Sequence, residues 1–253
     1  MKKRYIFIAC FFISHLSQAQ NSRWYVEPVF SVNSAFRNIK LAEEGDPSVL
    51  ALAARVKKDR DTLEFPAARL TAGLLVEYRI NNWLALSSGL LYNERGFSRP
   101  RVRNCRPGPP PNCEFIFLSR FPGSVENEAR FKMVYLALPL LVQGSLPLDS
   151  AGRWGLHLSV GPSIDLLLFS RQKVTEWNEE NESNKSSDRL DDFSPYTASV
   201  WGRMAISYEV RPALSISFGP HVQYAITPLA GESVFFDEEY YNIGVALALK
   251  YAL

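Results

Sequence analysis

The clearest signal in this chain is a two-residue alternation of apolar positions with small or polar ones. In the last segment, Tyr241, Ile243, Val245, Leu247, Leu249, Tyr251 and Leu253 fall on one face. Asn242, Gly244, Ala246, Ala248, Lys250 and Ala252 fall on the other. Successive side chains of a strand point to opposite faces, so this segment reads as a strand with one apolar face. The same period runs through 70–79, where Leu70, Ala72, Leu74, Val76 and Tyr78 alternate with Thr71, Gly73, Leu75, Glu77 and Arg79. It recurs in 199–210 and 214–219, and in Trp24–Phe36, Trp83–Arg95, Met133–Leu146 and Trp154–Phe169. About eight strands result, most of them long enough to cross a bilayer at a tilt.

The connectors alternate as well. Arg79–Asn82, Pro147–Arg153 and Val210–Ala213 are tight, whereas Arg37–Pro66, Gly96–Arg130, Ser170–Pro195 and Ala225–Glu239 are long. Strands that go up and down then put every long loop on one side, the layout of a membrane barrel with short periplasmic turns and long extracellular loops. A secreted β-sandwich has no reason to sort its loops this way. Trp24, Tyr78, Trp83, Trp154, Tyr208 and Tyr251 mark the short-turn ends, and Phe36, Tyr92, Tyr196 and Tyr241 the long-loop ends. Amphipathic rings at two levels suit the two membrane interfaces. The expected fold is all-β: an antiparallel up-and-down transmembrane barrel of about eight strands.

The N-terminus adds an address. Met1–Tyr5 is basic, Ile6–Ile13 is a short apolar core, and Ser17-Gln18-Ala19 supplies the small residues a signal peptidase reads. Residues 1–19 are therefore expected to be a signal peptide and 20–253 the barrel domain. Of the 253 residues, 28 are Lys or Arg and 26 are Asp or Glu; losing Lys2, Lys3 and Arg4 with the leader turns a net charge of +2 into −1. A near-neutral chain offers no electrostatic footprint for nucleic acid. Cys10 leaves with the signal, so the mature chain keeps only Cys105 and Cys113. An even pair in an exported protein predicts a disulfide.

The motif Gly73-Leu74-Leu75-Val76-Glu77-Tyr78-Arg79 is followed by Leu84–Gly89 and by Leu90-Leu91-Tyr92-Asn93-Glu94-Arg95-Gly96. Tyr135-Leu136-Ala137-Leu138-Pro139-Leu140-Leu141 and Gly161-Pro162 complete the pattern. On these residues the chain resembles the PorT-like outer-membrane β-barrels along nearly its whole mature length. The strand-four motif of that family more often has a charged or polar residue before Ile-Pro, where this chain has Ala137-Leu138-Pro139; such barrels commonly end in Phe, and this one ends in Leu253. The resemblance implies an outer-membrane location in a Gram-negative envelope and carries no catalytic signature.

Parity places Glu27, Glu77, Arg79, Gln143, His157, Asp165, Arg203, Glu209, His221 and Lys250 inward. Eight strands enclose little more than their own side chains, so these charges must pair. Glu77, Arg79, Arg203, Glu209 and Lys250 are the expected polar network of the lumen. The mature chain holds only His157 and His221, at different depths, and neither a GxSxG nor an HExxH motif occurs. No catalytic, cofactor or metal residue is read from the sequence.

The loops carry the rest. Arg99, Arg101, Arg103 and Arg106 lead into Cys105-Arg106-Pro107-Gly108-Pro109-Pro110-Pro111-Asn112-Cys113, a stiffened basic segment suited to lipopolysaccharide phosphates or an acidic partner. Asp46-Pro47 opens a predicted short amphipathic helix over the first loop. Residues 171–192 are rich in Glu, Asn and Ser and read as solvated and mobile. Phe235-Phe236-Asp237-Glu238-Glu239 reads as a strand extension beyond the membrane. The expected role is a non-enzymatic barrel that stabilises the envelope or joins a surface or secretion complex through its loops, with outer-membrane lipid and lipopolysaccharide around it. The alternatives are a barrel enzyme acting on lipid or surface peptide, and a small-solute pore.

Overall fold

The computed structural model describes residues 23–41, 54, 57–58, 64–103, 126–178, 180–189, 193–227 and 236–253. The signal segment, the Cys105–Cys113 pair and most of the predicted loop-one helix lie outside them; of that helix, Ala54, Lys57 and Lys58 are helical.

Ten antiparallel strands follow one another: β1 (Trp24–Leu41), β2 (Phe65–Arg79), β3 (Leu84–Arg95), β4 (Phe97–Arg103), β5 (Glu126–Pro147), β6 (Trp154–Trp177), β7 (Ser183–Arg189), β8 (Tyr196–Arg211), β9 (Leu214–Ala225) and β10 (Phe236–Ala252). Eight of them pair in a ring, β1-β2-β3-β5-β6-β8-β9-β10, and β10 returns to β1 from Tyr25↔Ala252 to Leu41↔Phe236. The ring is the closed barrel that the alternation predicts. Closure leaves none of these eight strands with an open edge, as hydrocarbon requires.

The two additional strands lie above the ring. At Gly96 (φ +141°) the chain breaks from β3 into β4, and a Cβ there would stand 2.1 Å from the Phe131 carbonyl oxygen. That close approach admits only glycine. β4 then pairs with β5 and the start of β2. β6 runs well past the membrane and folds back as β7, from Arg171↔Arg189 to Trp177↔Ser183. Asn181 takes a left-handed φ of 62° at the turn, and the Asn178 side-chain oxygen accepts from the Glu182 amide at 2.8 Å. The expectation of a mobile segment over 171–192 is corrected for 171–177 and 183–189. Above the membrane neither face of a hairpin meets lipid, so such a strand carries no apolar alternation to reveal it.

At the other end the turns are tight. The Asn81 side-chain oxygen accepts from the amides of Trp83 and Leu84, and that of Asp149 accepts from the amide of Trp154 at 2.8 Å. Trp24 packs on Tyr78 and Trp154 on Tyr208, each at 4.8 Å between ring centres, across directly opposed positions. Phe36 stacks on Tyr241 at 5.0 Å near the long-loop end. Between these aromatic levels the outward face is predominantly apolar, with Ser34 on β1 and Ser88 on β3 among its few polar positions. On β5 it runs from Leu136 to Leu146. Ten residues at roughly 3.3 Å and a tilt of ~40° cover about 25 Å, the height of an outer-membrane apolar band.

Val245 sits mid-strand on this face and is 44% exposed. Val245→Arg is therefore expected to cost about 2–4 kcal/mol, whereas Val210→Arg near the short-turn rim costs under about 1 kcal/mol. Reversible folding into lipid vesicles measures both, and equal costs would contradict the assigned face and depth.

Candidate functional site

The inward faces of the eight strands make a layered lumen. Midway, Val29, Leu75, Leu91, Ala137, Leu141, Trp201, Ala246 and Ala248 form a buried apolar collar. A residual cavity of about 20 Å³ is left within it. That is room for about one water and too little for a hydrated ion.

Below the collar, toward the short turns, charges meet in pairs. Lys250 Nζ donates to Glu77 Oε2, and both side chains are buried. Arg203 donates one Nη to Glu27 at 2.6 Å and the other to the Ser217 hydroxyl at 2.7 Å. His157 lies beside them, with Ser145 and Ser207 each 2.8 Å from one of its ring nitrogens. A mouth of about 400 Å³ opens at this end. Arg79 lines it and lies over the Tyr25 ring at 4.4 Å. Glu209 also lines it and is exposed.

Above the collar the groups form one continuous chain. His221 stacks on Trp201 and contacts Ser31 at 3.3 Å. Ser31 donates to Asn33, Asn33 to Thr71, and Thr71 to Asn93, all within 2.9 Å. Asn93 donates to Gln223 at 2.7 Å, and Gln223 donates to Asp165 at 2.9 Å. Asp165 is fully buried and also receives Arg95, Ser163 and Ser199. In a medium of low polarity, a carboxylate filled on this many sides is what permits its burial.

A second apolar layer closes the long-loop end. Phe97, Met133, Tyr135, Ala225 and Tyr240 are buried there, with Phe131, Leu167 and Phe193 packed on them. Over it, Arg37 and Arg99 both engage Glu64, and Arg37 also lies over the Phe97 ring at 3.9 Å.

Five lumen residues were expected to form one network, and the structure divides them. Glu77 and Lys250 meet. Arg203 belongs to Glu27 instead. Arg79 and Glu209 stand at the mouth, Glu209 outside the buried groups altogether. Arg95 is a lumen residue that the inward set lacks, although it shares parity with Leu91 and Asn93 on β3 and so carried a usable signal. The basic segment of the second loop is also corrected in part. Arg99 is buried on Glu64, while Arg101 binds Glu126 and covers Trp177 at 4.4 Å, so these two side chains are already occupied. Ser170-Arg171-Gln172-Lys173 has the spacing of an S-x-x-K motif, but on a strand it faces two ways. Ser170 is buried and Lys173 is exposed, so the two cannot act together. Among the described residues no group of three His, Cys, Asp or Glu stands where a metal would bind.

Residues 17–231 match a family described as outer membrane protein beta-barrel domain. No curated protein matches the chain. Among solved structures, Neisserial surface protein A is similar at 10% identity and a TM-score of 0.43, covering 92% of this chain and 98% of that one. OprG from Pseudomonas aeruginosa is similar at 8% identity and a TM-score of 0.42, covering 92% and 97%. The outer membrane protease OmpT from Escherichia coli is similar at 8% identity and a TM-score of 0.37, covering 90% and 97%.

The pairing of Lys250 with Glu77 gives a test of the lumen. Removing one partner of a buried ion pair costs about 3–5 kcal/mol, whereas replacing both is near neutral. Lys250→Met is expected to destabilise by that amount, and Glu77→Gln combined with Lys250→Met to recover most of it. Urea unfolding in lipid vesicles reads the cycle, and additive losses would show that the pair is not coupled.

Proposed function

The chain belongs to the outer membrane protein beta-barrel domain family and resides in the outer membrane, and on that premise we propose that it is a closed, non-enzymatic barrel with a structural or interaction role in the envelope. The observation that carries this reading is the lumen, where an apolar collar fills the middle of the barrel and the buried charges on either side of it are paired. A lumen built this way leaves solute only the small space within the collar.

Against an enzyme stands the setting of the histidines. His157 contacts two serines, and among the described residues no carboxylate hydrogen-bonds its ring. A nucleophile activated by a base calls for a third group to orient that base. Against a pore stands the small volume left in the collar.

The working surface is then the long-loop end, where four of the ring's strands, β1, β5, β6 and β10, rise past the apolar band. We place the chain among the PorT-like members of the family, on the residue pattern from Gly73 to Gly96 and from Tyr135 to Leu141. The role that fits is accessory to a surface or secretion complex, with an envelope protein engaged through the loops and outer-membrane lipid and lipopolysaccharide around the wall. A disulfide between Cys105 and Cys113 belongs to this reading, since it closes a stiff ring in the second loop; the mature protein then shows no reactive thiol before reduction.

Affinity purification from outer membranes in mild detergent is the test, paired with planar-bilayer recording of the purified barrel. A stoichiometric protein that is lost when residues 104–125 are replaced by a short turn is expected, together with no ion conductance. A lone barrel that conducts would overturn the proposal.

A further inference from the structure

Outside the lumen, one patch of the wall has a charge arrangement that the fold itself disfavours. β5 and β6 are in register above the apolar band, where Arg130 stands opposite Lys173 and Lys132 opposite Arg171. On the other side of β6, Arg171 stands opposite Arg189 of β7. Directly opposed side chains share a face, and like charges there destabilise the sheet. Five cations therefore occupy two adjoining rows of one outward face.

Nearby acids answer only part of this charge. Arg130 is engaged by Glu128 at 2.7 Å and Lys132 by Glu94. Arg171 and Lys173 are exposed and make no ion pair or hydrogen bond to any described residue. Their height is fixed by the strands that carry them. On β6 the apolar outward face ends at Phe169, which is 40% exposed, and Arg171 is the next outward position. On β5, Lys132 is two outward positions above Leu136. The patch thus begins where the hydrocarbon stops, on the long-loop side.

We infer that this face of β5, β6 and β7 binds the phosphorylated headgroup of an outer-leaflet lipid, with its acyl chains lying along the apolar wall below. The inference rests on the outer-membrane reading above and deepens it. A phosphate accepts charge-assisted hydrogen bonds from Arg171 and Lys173 and offsets the repulsion between the opposed cations. A lipid also uses the continuous apolar surface of Phe169, Leu166 and Leu136 beneath the cations, which a free phosphate does not.

The mature full-length barrel, refolded in detergent micelles, is the material for the test. Native mass spectrometry measures retention of bisphosphorylated lipid A, phosphate-free lipid A and phosphatidylethanolamine. Wild type is expected to keep the bisphosphorylated lipid in preference to both others. Arg171→Glu with Lys173→Glu is expected to lower that retention about tenfold or more, the loss of two charge-assisted contacts. Lys173→Glu alone faces Arg130 with an opposite charge, so its unfolding midpoint is expected at or above that of wild type while its retention falls. A purely structural patch would move the two readouts together. Equal retention of phosphorylated and phosphate-free lipid, or no change in the double variant, would overturn the inference. So would full displacement of the lipid by an equal concentration of inorganic phosphate, which would make this a free-anion site. Heat-dependent gel mobility reports the barrel separately. A wild type that shows no compact band before heating would remove the membrane-barrel reading itself, and the lipid site with it.

Discussion

Hydrocarbon cannot hydrogen-bond a peptide group, and this single constraint organises the molecule. Each strand within the bilayer must be paired on both sides, so the first strand has to meet the last. The β1–β10 ladder meets that demand from Tyr25↔Ala252 to Leu41↔Phe236, broken only at Glu27 and Pro28. Once the ring is closed, the two faces of every strand acquire fixed solvents. The outward face meets lipid and turns apolar, and the inward face meets only the opposite wall of a narrow cylinder.

That narrowness explains the lumen. Eight strands leave no room for bulk water, so each inward charge must find a partner across the cylinder. Glu77 and Lys250 are 173 positions apart in the chain and meet because β2 and β10 flank β1. Asp165 collects donors from β3, β8 and β9 for the same reason. The apolar collar then fills the middle of the cylinder, with Arg203 and His221 opposed across β8 and β9 beside it.

Sequence and structure part company at the membrane boundary. Inside the band, the alternation of Val245 with Ala246, or of Leu74 with Leu75, shows both the strand and its inward side, because lipid imposes a strict period. Above the band that pressure ends. Ser183–Arg189 is polar on both faces and hides its strand, and Phe97–Arg103 reads as a basic loop because Arg99 turns inward to Glu64. Within the lumen, parity assigns a residue to the inside but does not name its partner. The circumferential position of Arg203 relative to Glu27 follows from stagger between strands, which a period of two does not encode. Opposed cations such as Arg130 and Lys173 likewise become visible only once the register is known.

A closed lumen requires above all that the collar be closed. Its direct test is thiol labelling of a single cysteine at Ala246, in a background with Cys105 and Cys113 replaced by serine, using a membrane-impermeant reagent on the folded barrel in lipid. Ala246 is buried within the collar, whereas Ser215 lines the short-turn mouth. Ala246→Cys is predicted to stay unlabelled until the protein is unfolded, while Ser215→Cys reacts at once. Labelling of both at the same rate would mean that water runs through the barrel, and would contradict the closed lumen.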